Sequence, residues 1–208
     1  MKYATVALSL LSATLSVAAP TTTSGYAVPS ILKVHDITTN QNVQGTKTNT
    51  SRSGTSESST LYDIPIPAAA AGRTCGLVFR ASGADTVQGA AAMDIFKNGF
   101  TDLASLTQGN LRDQQLARIV FNPSTGAYDF KRADFTPTID SFPCPAGQTL
   151  HWEAAAVGEF DVNLVRQDFA YDGVNAPNGI SVAWWERRFT SGICGIAPPA
   201  SKGFVAIS

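Results

Sequence analysis

The sequence is poor in the residues from which metal sites and nucleophilic active sites are usually built. Its 208 residues include three cysteines and two histidines, and no CxxC or HxxxH spacing occurs. Zinc sites usually draw their ligands from such closely spaced pairs. The GxSxG elbow that presents a nucleophilic serine is also absent. The sequence therefore predicts no metal, no cofactor and no recognisable catalytic residue.

Charge of either sign is also sparse and evenly balanced. Fifteen Lys and Arg residues face sixteen Asp and Glu residues, so the formal net charge is −1, and no basic run is present. Proteins that bind nucleic acid need concentrated positive charge to neutralise phosphates, so a nucleic-acid partner is not expected. Beyond the first residues, no apolar run is long enough to span a bilayer, so no membrane span is expected either.

What the chain does have is a start that is typical of an exported protein. Lys2 precedes the apolar stretch "VALSLLSATLSV", and small residues follow at Val17-Ala18-Ala19. This pattern predicts a secretory signal peptide over 1–19, with a mature chain that begins at Pro20 in an extracellular or cell-wall location. A buried N-terminal helix is the alternative. We divide the remainder into a lead-in over 20–29, a domain over 30–185 and a tail over 186–208 that contains Pro198-Pro199.

In an oxidising compartment, two of the three cysteines are expected to pair. Cys75 and Cys144 are the better pair, since each opens a strand-like segment and Pro145 favours an extended Cys144. Cys194 then remains as a free thiol, a link to another chain or a competitor for one of the other two. Three free thiols in a cytosolic protein is the alternative reading.

A single N-glycosylation sequon, Asn49-Thr50-Ser51, lies in a segment where ten of fifteen residues are Ser or Thr. If the chain is secreted, Asn49 is a candidate glycosylation site.

Apolar residues recur with a period of two along most of the chain, which predicts β-strands. Polar turns separate the candidate strands, and Gly158 with Glu159 suggests a tight hairpin. Only "FTDLASLTQG" and "NLRDQQLARI" have any helical character. We therefore expect an antiparallel β-sandwich, Greek-key or jelly-roll-like, with one internal disulfide. Eight stretches carry the pattern: "ILKVHDI", "STLYDIP", "CGLVFRA", "AAMDIF", "QLARIVFN", "TLHWEAAAV", "FDVNLVR" and "GISVAWW".

Within the last three of these strands, the alternation also predicts which side chains face the core. Leu150, Trp152 and Ala154 are assigned to the core face of one strand, and the same rule applies to the other two. The remaining assignments are Phe160, Val162 and Leu164 in "FDVNLVR", and Ile180, Val182 and Trp184 in "GISVAWW".

Several stretches taken together resemble a fungal family of secreted proteins, the But-two C-terminal domain family. They are "YDIPIPAAAAGRTCGLVFRA", "GNLRDQQLARI", "SFPCPAGQTLHWEAAAVGEFDVNL" and "GISVAWW". The resemblance covers roughly 26–185 and implies an all-β fold with a Cys75–Cys144 bridge. It implies no catalytic residues. The family is named for a member that binds a subunit of a ubiquitin-like activating enzyme, and the export signal argues against that intracellular partner here.

Three polar constellations could carry chemistry. Glu153 and Asp161 would form the acid and base of a wall-polysaccharide hydrolase if they faced each other across a hairpin, although both hold positions expected to face solvent. His151 is the best candidate for a general base, and a surface pair with Glu153 is its simpler role. Oxygen ligands for calcium occur at Asp168, Asp172 and Asn175, where ordinary turn formation explains them equally well.

Exposed aromatic rings give a further possibility, because such rings can stack on sugars. Trp184 and Trp185 must point to opposite faces of one strand, so at most one lies in the core. Trp185 with Tyr171 is therefore a possible ligand platform. The sequence favours a secreted, non-catalytic protein that binds a cell-wall polysaccharide or a surface protein. The alternatives are a hydrolase that uses Glu153 and Asp161, and a partner of a ubiquitin-like activating enzyme.

Overall fold

The computed structural model describes residues 25–186, which form an all-β domain in which every strand pair is antiparallel. This confirms the predicted all-β, antiparallel class. In this part of the chain, no helix is long and apolar enough to cross a membrane. The strands are β1 (Gly25–Ala27), β2 (Ile31–Asp36), β3 (Gln41–Gln44), β4 (Lys47–Ser53), β5 (Ser56–Pro65), β6 (Thr74–Arg80), β7 (Thr86–Gln88), β8 (Ala92–Asn98), β9 (Arg112–Asn122), β10 (Ala127–Phe130), β11 (Phe142–Pro143), β12 (Thr149–Ala156), β13 (Val162–Arg166) and β14 (Gly179–Trp185).

The strands form one continuous sheet that curls around its own core. Its path runs β1-β14-β6-β10-β9-β8-β12-β5-β4-β13-β7, while β11 pairs with β6 and the β2–β3 hairpin pairs with β5. The curl brings β10 opposite β13, where the Tyr128 hydroxyl donates to Asn163 Oδ1 at 2.7 Å in the buried interior. Buried apolar side chains from both halves fill the enclosed space, including Tyr62, Phe79 and Ile95.

All eight predicted strands are present, and the predicted disulfide is formed. Cys75 on β6 bonds to Cys144, with 4.9 Å between the two Cα atoms. The helical character expected of "NLRDQQLARI" is wrong, because β9 is already extended from Arg112. The lead-in assigned to 20–29 also needs correction, since β1 within it pairs with β14 and extends the sheet. The proposed signal peptide over 1–19, most of the tail and Cys194 lie outside the described residues.

The Ser/Thr-rich segment that contains the sequon forms the β4–β5 hairpin. Buried hydroxyl groups, in place of apolar side chains, hold this hairpin in the fold. Thr48 Oγ1 and the Tyr62 hydroxyl lie 2.8 Å apart, and Thr50 Oγ1 accepts from Asn163 at 3.1 Å. Because these hydroxyls are hydrogen-bonded inside the fold, the strands can bury them without the cost of an unsatisfied polar group.

Two expectations for β13 are wrong. The predicted hairpin with β12 does not form, since β12 pairs with β5 and β8 whereas β13 pairs with β4 and β7. The predicted core face of β13 is also reversed. Asp161, Asn163 and Val165 are fully buried, while Phe160 and Leu164 are 69% and 36% exposed. The faces predicted for β12 and β14 are confirmed by the packing of their apolar residues against the core.

Residues 99–111, which connect β8 to β9, lie across the outer side of the sheet. Phe100 and Leu103 pack there with Leu61 in a small second apolar cluster. Polar groups on the sheet also hold the connection in place. Lys33 Nζ donates to the carbonyl oxygens of Ala104 and Leu106 at 2.8 and 2.9 Å. The connection therefore buries polar side chains of β2, β5 and β12 that alternation alone would assign to solvent.

Candidate ligand-binding cleft

A cleft of about 410 Å³ opens where β12 meets the chain segment around β11. We call it the β12 cleft. Its floor is apolar and mostly buried, with Trp152 at 3%, Ile139 at 5% and Leu116 at 8% exposure. The wall is formed by the half-buried apolar side chains of Phe142, Pro145 and Leu150 and by the exposed Pro143. Its volume and lining resemble those of small-ligand sites in other proteins.

Polar groups surround this apolar floor at the mouth of the cleft. Lys97, Gln148 and Thr149 are exposed, and the half-buried His151 contributes a further hydrogen-bonding group. No aspartate or glutamate occurs in the lining. A bound molecule could therefore place an apolar surface on the floor and its polar or anionic groups at the rim.

His151 is held in a fixed orientation at one side of the cleft. Its Nδ1 lies 2.6 Å from Asp63 Oδ1, and Asp63 Oδ2 accepts from the Leu103 amide at 3.3 Å. The Phe100 ring packs edge-on against the imidazole, with 5.0 Å between ring centroids. His151 therefore pairs with Asp63 and not, as predicted, with Glu153. Through Asp63 and Phe100, it also links the cleft to the 99–111 connection.

A His–Asp pair can support nucleophilic catalysis only if a nucleophile lies within hydrogen-bonding reach. Two hydroxyl groups line the cleft, on Thr138 and Thr149. Thr138 Oγ1 donates to the Leu116 carbonyl at 3.3 Å, and within 25–186 no hydrogen bond joins His151 to a hydroxyl. Among the described residues, His151 therefore has no hydrogen-bonded hydroxyl nucleophile.

The disulfide fixes the wall of the β12 cleft. Cys144 lies between the two lining prolines, and its amide donates to the Arg73 carbonyl at 3.1 Å. Its sulfur is bonded to Cys75, which is fully buried on β6. The wall segment is therefore attached to the central sheet by both a covalent bond and main-chain pairing, so the cleft is preformed.

Glu153 does not face solvent as predicted. Its side chain is fully buried, and Arg112 forms a two-pronged ion pair with it, with Nη2–Oε1 at 2.6 Å and Nε–Oε2 at 3.1 Å. Asn98 and Asn110 donate to the same carboxylate at 3.1 and 3.0 Å. The Arg112 guanidinium also lies over the Phe96 ring, 4.4 Å from its centroid. This network anchors both ends of the 99–111 connection.

The pKa of Glu153 reflects this network. Burial raises the pKa of the carboxyl group, but the hydrogen bonds and charge of Arg112, together with the Asn98 hydrogen bond, outweigh that effect. The pKa consequently lies below its usual value, and the group stays ionised at neutral pH. A general acid needs a raised pKa, so Glu153 is poorly suited to protonate a leaving group.

Asp161 is equally buried and serves a separate structural purpose. Its carboxylate accepts hydrogen bonds from the amides of Ala90 and Gly158, the latter at 2.8 Å. Asp161 precedes β13, which is not a neighbour of β12, so the two carboxylates do not face each other across a hairpin. The arrangement on which the hydrolase hypothesis depended is absent from the described fold.

The two residues of the predicted platform lie away from the cleft. Tyr171 packs edge-on against Tyr26, with 5.2 Å between ring centroids, whereas the Trp185 ring covers Gly76. Trp184 packs against the core, which agrees with the argument that at most one of the two tryptophans lies there. Both platform residues are half-buried, and a role for them in ligand binding stays a prediction.

The candidate calcium ligands are used in turns. Asp172 Oδ1 accepts from the amides of Val174 and Asn175 at 2.8 and 2.9 Å, and Asp168 Oδ2 accepts from the Asn178 amide at 2.8 Å. Over residues 25–186, no group of three or more His, Cys, Asp or Glu side chains could hold a metal ion.

Known proteins add no information on this site, because no family model and no curated protein matches the chain. Sequence reasoning had missed the β12 cleft. Most of its lining nevertheless comes from one short stretch, Phe142–Trp152. Two prolines beside a disulfide cysteine, followed at once by an apolar strand, are the feature that could have indicated it.

Proposed function

We propose that this chain is a secreted, non-catalytic protein that binds an extracellular ligand, such as a cell-wall saccharide, in the β12 cleft. The observation that carries the proposal is a preformed cleft with an apolar floor and a polar rim, whose wall is fixed by a disulfide. Such a site can accept the apolar face of a sugar ring while polar groups at the rim bind its hydroxyls.

Three features support the extracellular location. The first residues have the pattern of a secretory signal peptide, one sequon is present, and the Cys75–Cys144 disulfide suits an oxidising compartment. The resemblance to the But-two C-terminal domain family agrees with secretion. An intracellular role beside a ubiquitin-like activating enzyme is disfavoured by the same disulfide.

The location is tested by the intact mass of protein recovered from its native secretory route, after thiol alkylation with and without reduction. We expect a chain that begins at Pro20 and has one disulfide and one alkylatable thiol. A chain that begins at Met1 and has three alkylatable thiols would overturn the extracellular assignment.

Binding is tested by titrating the protein with soluble wall oligosaccharides and measuring affinity by calorimetry and amide NMR shifts. Replacing Leu150 by Asn places an amide on the apolar cleft wall, and Lys97→Met removes a charged rim group. We expect each change to weaken binding about tenfold, which corresponds to about 1.4 kcal/mol. Lys131→Met, at an exposed lysine outside the cleft lining, is the matched control and should bind normally. Equal affinity in all variants would show that the cleft is not the binding site.

A further inference from the structure

The reversed face of β13 leaves apolar side chains on the outside of the sheet. Val162 and Leu164 point outward between the polar strands β4 and β7. Leu164 is 36% exposed and lies opposite Asn49 of β4 and Thr86 of β7, while Val162 lies opposite Ser51 and Gln88. We call Val162 and Leu164 the outer apolar pair. Hydroxyl and amide groups surround it on both sides.

The sequon lies directly beside this pair. Asn49 and Leu164 are cross-strand partners, so their side chains project from the same face as close neighbours. The neighbouring Thr48 and Thr50 are buried, whereas Asn49 is half-exposed and faces outward. Its Oδ1 accepts from Ser58 Oγ at 3.3 Å, and its Nδ2 has no hydrogen-bond partner within the described residues. Nδ2 is the atom to which an N-linked sugar is attached.

We propose that Asn49 is N-glycosylated and that the first N-acetylglucosamine packs on the outer apolar pair. In the attachment step, Nδ2 loses one proton and bonds to C1 of the oligosaccharide, which leaves its lipid-diphosphate carrier. The sugar then covers Leu164 and Val162 with its C–H-rich face, and its polar groups meet the surrounding side chains of Ser51 and Thr86.

A covalently attached sugar fits this face better than a free partner does. The apolar area is small for a protein interface, and the residue that carries the attachment atom, Asn49, is the cross-strand partner of Leu164 on the neighbouring strand. Attachment also makes the contact intramolecular, so even a weak contact is populated. The proposal rests on the extracellular location argued above, since only a secreted chain meets the glycosylation machinery.

The test uses the chain secreted from a eukaryotic host behind that host's own leader, so that its outcome does not depend on residues 1–19. Asn49 occupancy is measured by peptide mass spectrometry. The glycan is then trimmed to one N-acetylglucosamine, and methyl-labelled protein is examined for NOEs between the sugar and the methyl groups of Leu164. We expect occupancy at Asn49, NOEs to Leu164 and a melting temperature raised by about 2 °C relative to Asn49→Gln.

Two variants distinguish the effect of the contact between the sugar and Leu164 from the effect of glycan attachment itself. Ser51→Ala removes the sequon but keeps Asn49, and should melt as Asn49→Gln does. Leu164→Ser keeps the sequon, and in that background the single sugar should no longer raise the melting temperature. An unoccupied Asn49 in the secreted protein, a lack of NOEs, or an equal gain in Leu164→Ser would each overturn the inference. Failure to bind saccharide in the β12 cleft would leave it intact, because that result bears on the proposed function alone.

Discussion

At the scale of single residues, the fold depends on carboxylates that it buries. Glu153 and Asp161 are fully buried, and each accepts a hydrogen bond from a donor distant in the sequence, Arg112 for Glu153 and the Ala90 amide for Asp161. A charge removed from water is tolerated only when paired and hydrogen-bonded in this way. These residues therefore act as structural anchors at positions where alternation predicted surface charges.

Replacing Glu153 by Gln should destabilise the protein by about 3 kcal/mol, because Arg112 loses its buried counter-charge. We place the loss at the low end of the usual range for buried pairs, since the Arg112 side chain is 30% exposed. Chemical denaturation measures the effect. The control is Glu57→Gln, whose ion pair with Arg52 spans 3.9 Å at the surface and should contribute less than about 1 kcal/mol.

The stability difference between the parent protein and Glu153→Gln should depend on pH. The pKa of Glu153 is lowered by folding, so its ionised form stabilises the native state at all pH values above its usual pKa of 4.5. That contribution is lost as the pH falls below 4.5 and through the lowered pKa of the folded state. The difference in melting temperature between the parent protein and Glu153→Gln should consequently shrink under acidic conditions. A constant difference from pH 7 to pH 3 would contradict this assignment.

How well the sequence predicts the burial of a residue depends on whether its contacts lie near it or far from it in the chain. Apolar alternation identifies β6 and β14 correctly, since burial follows from the side chains themselves. It reverses β13 because Asn163 is buried through hydrogen bonds to Tyr128 and Thr50, which are distant in sequence. The β12 cleft is missed for a related reason. It forms only when β8, β9 and the β11 segment meet around β12.

At the scale of elements, the disulfide connects β6 to the segment that forms the cleft wall. Cys75 and Cys144 are 69 residues apart, and Phe142 and Pro143 pair with Cys75 and Thr74 beside the bond. The strand pairing alone has only two residues. The covalent link therefore reinforces the main-chain hydrogen bonds that hold the wall against the sheet.

Replacing either cysteine by alanine should destabilise the protein by about 4 kcal/mol, the chain-entropy value for a closed loop of this length. Because both single variants remove the same bond, the Cys75→Ala/Cys144→Ala double variant should cost little more than either one. Urea denaturation checks the three values. Each variant that remains folded should also bind oligosaccharide more weakly, since its cleft wall is no longer fixed. Additive losses in the double variant would show that packing of the individual side chains dominates.

At the scale of the whole molecule, a buried side-chain hydrogen bond helps to join the two halves of the curled sheet across the core. Tyr128 lies on β10 and Asn163 on β13, and the Asn163 amide continues to Thr50 on β4 at 3.1 Å. Burial raises the pKa of the Tyr128 phenol well above its usual value, so the hydroxyl remains a donor over the whole physiological range. This chain of polar contacts therefore helps to hold β10, β13 and β4 together across the core.

Replacing Tyr128 by Phe tests this connection with almost no change in volume. The Asn163 oxygen would stay buried without its donor, which should cost about 1–3 kcal/mol and lower the melting temperature by several degrees. Tyr171→Phe is the matched control, because Tyr171 is half-exposed and contacts Tyr26 through its ring. Amide hydrogen exchange should accelerate in both β10 and β13, since both strands lose the hydrogen bond that joins them. Acceleration confined to β10 would mean that apolar packing, and not this hydrogen bond, holds β13 in place across the core.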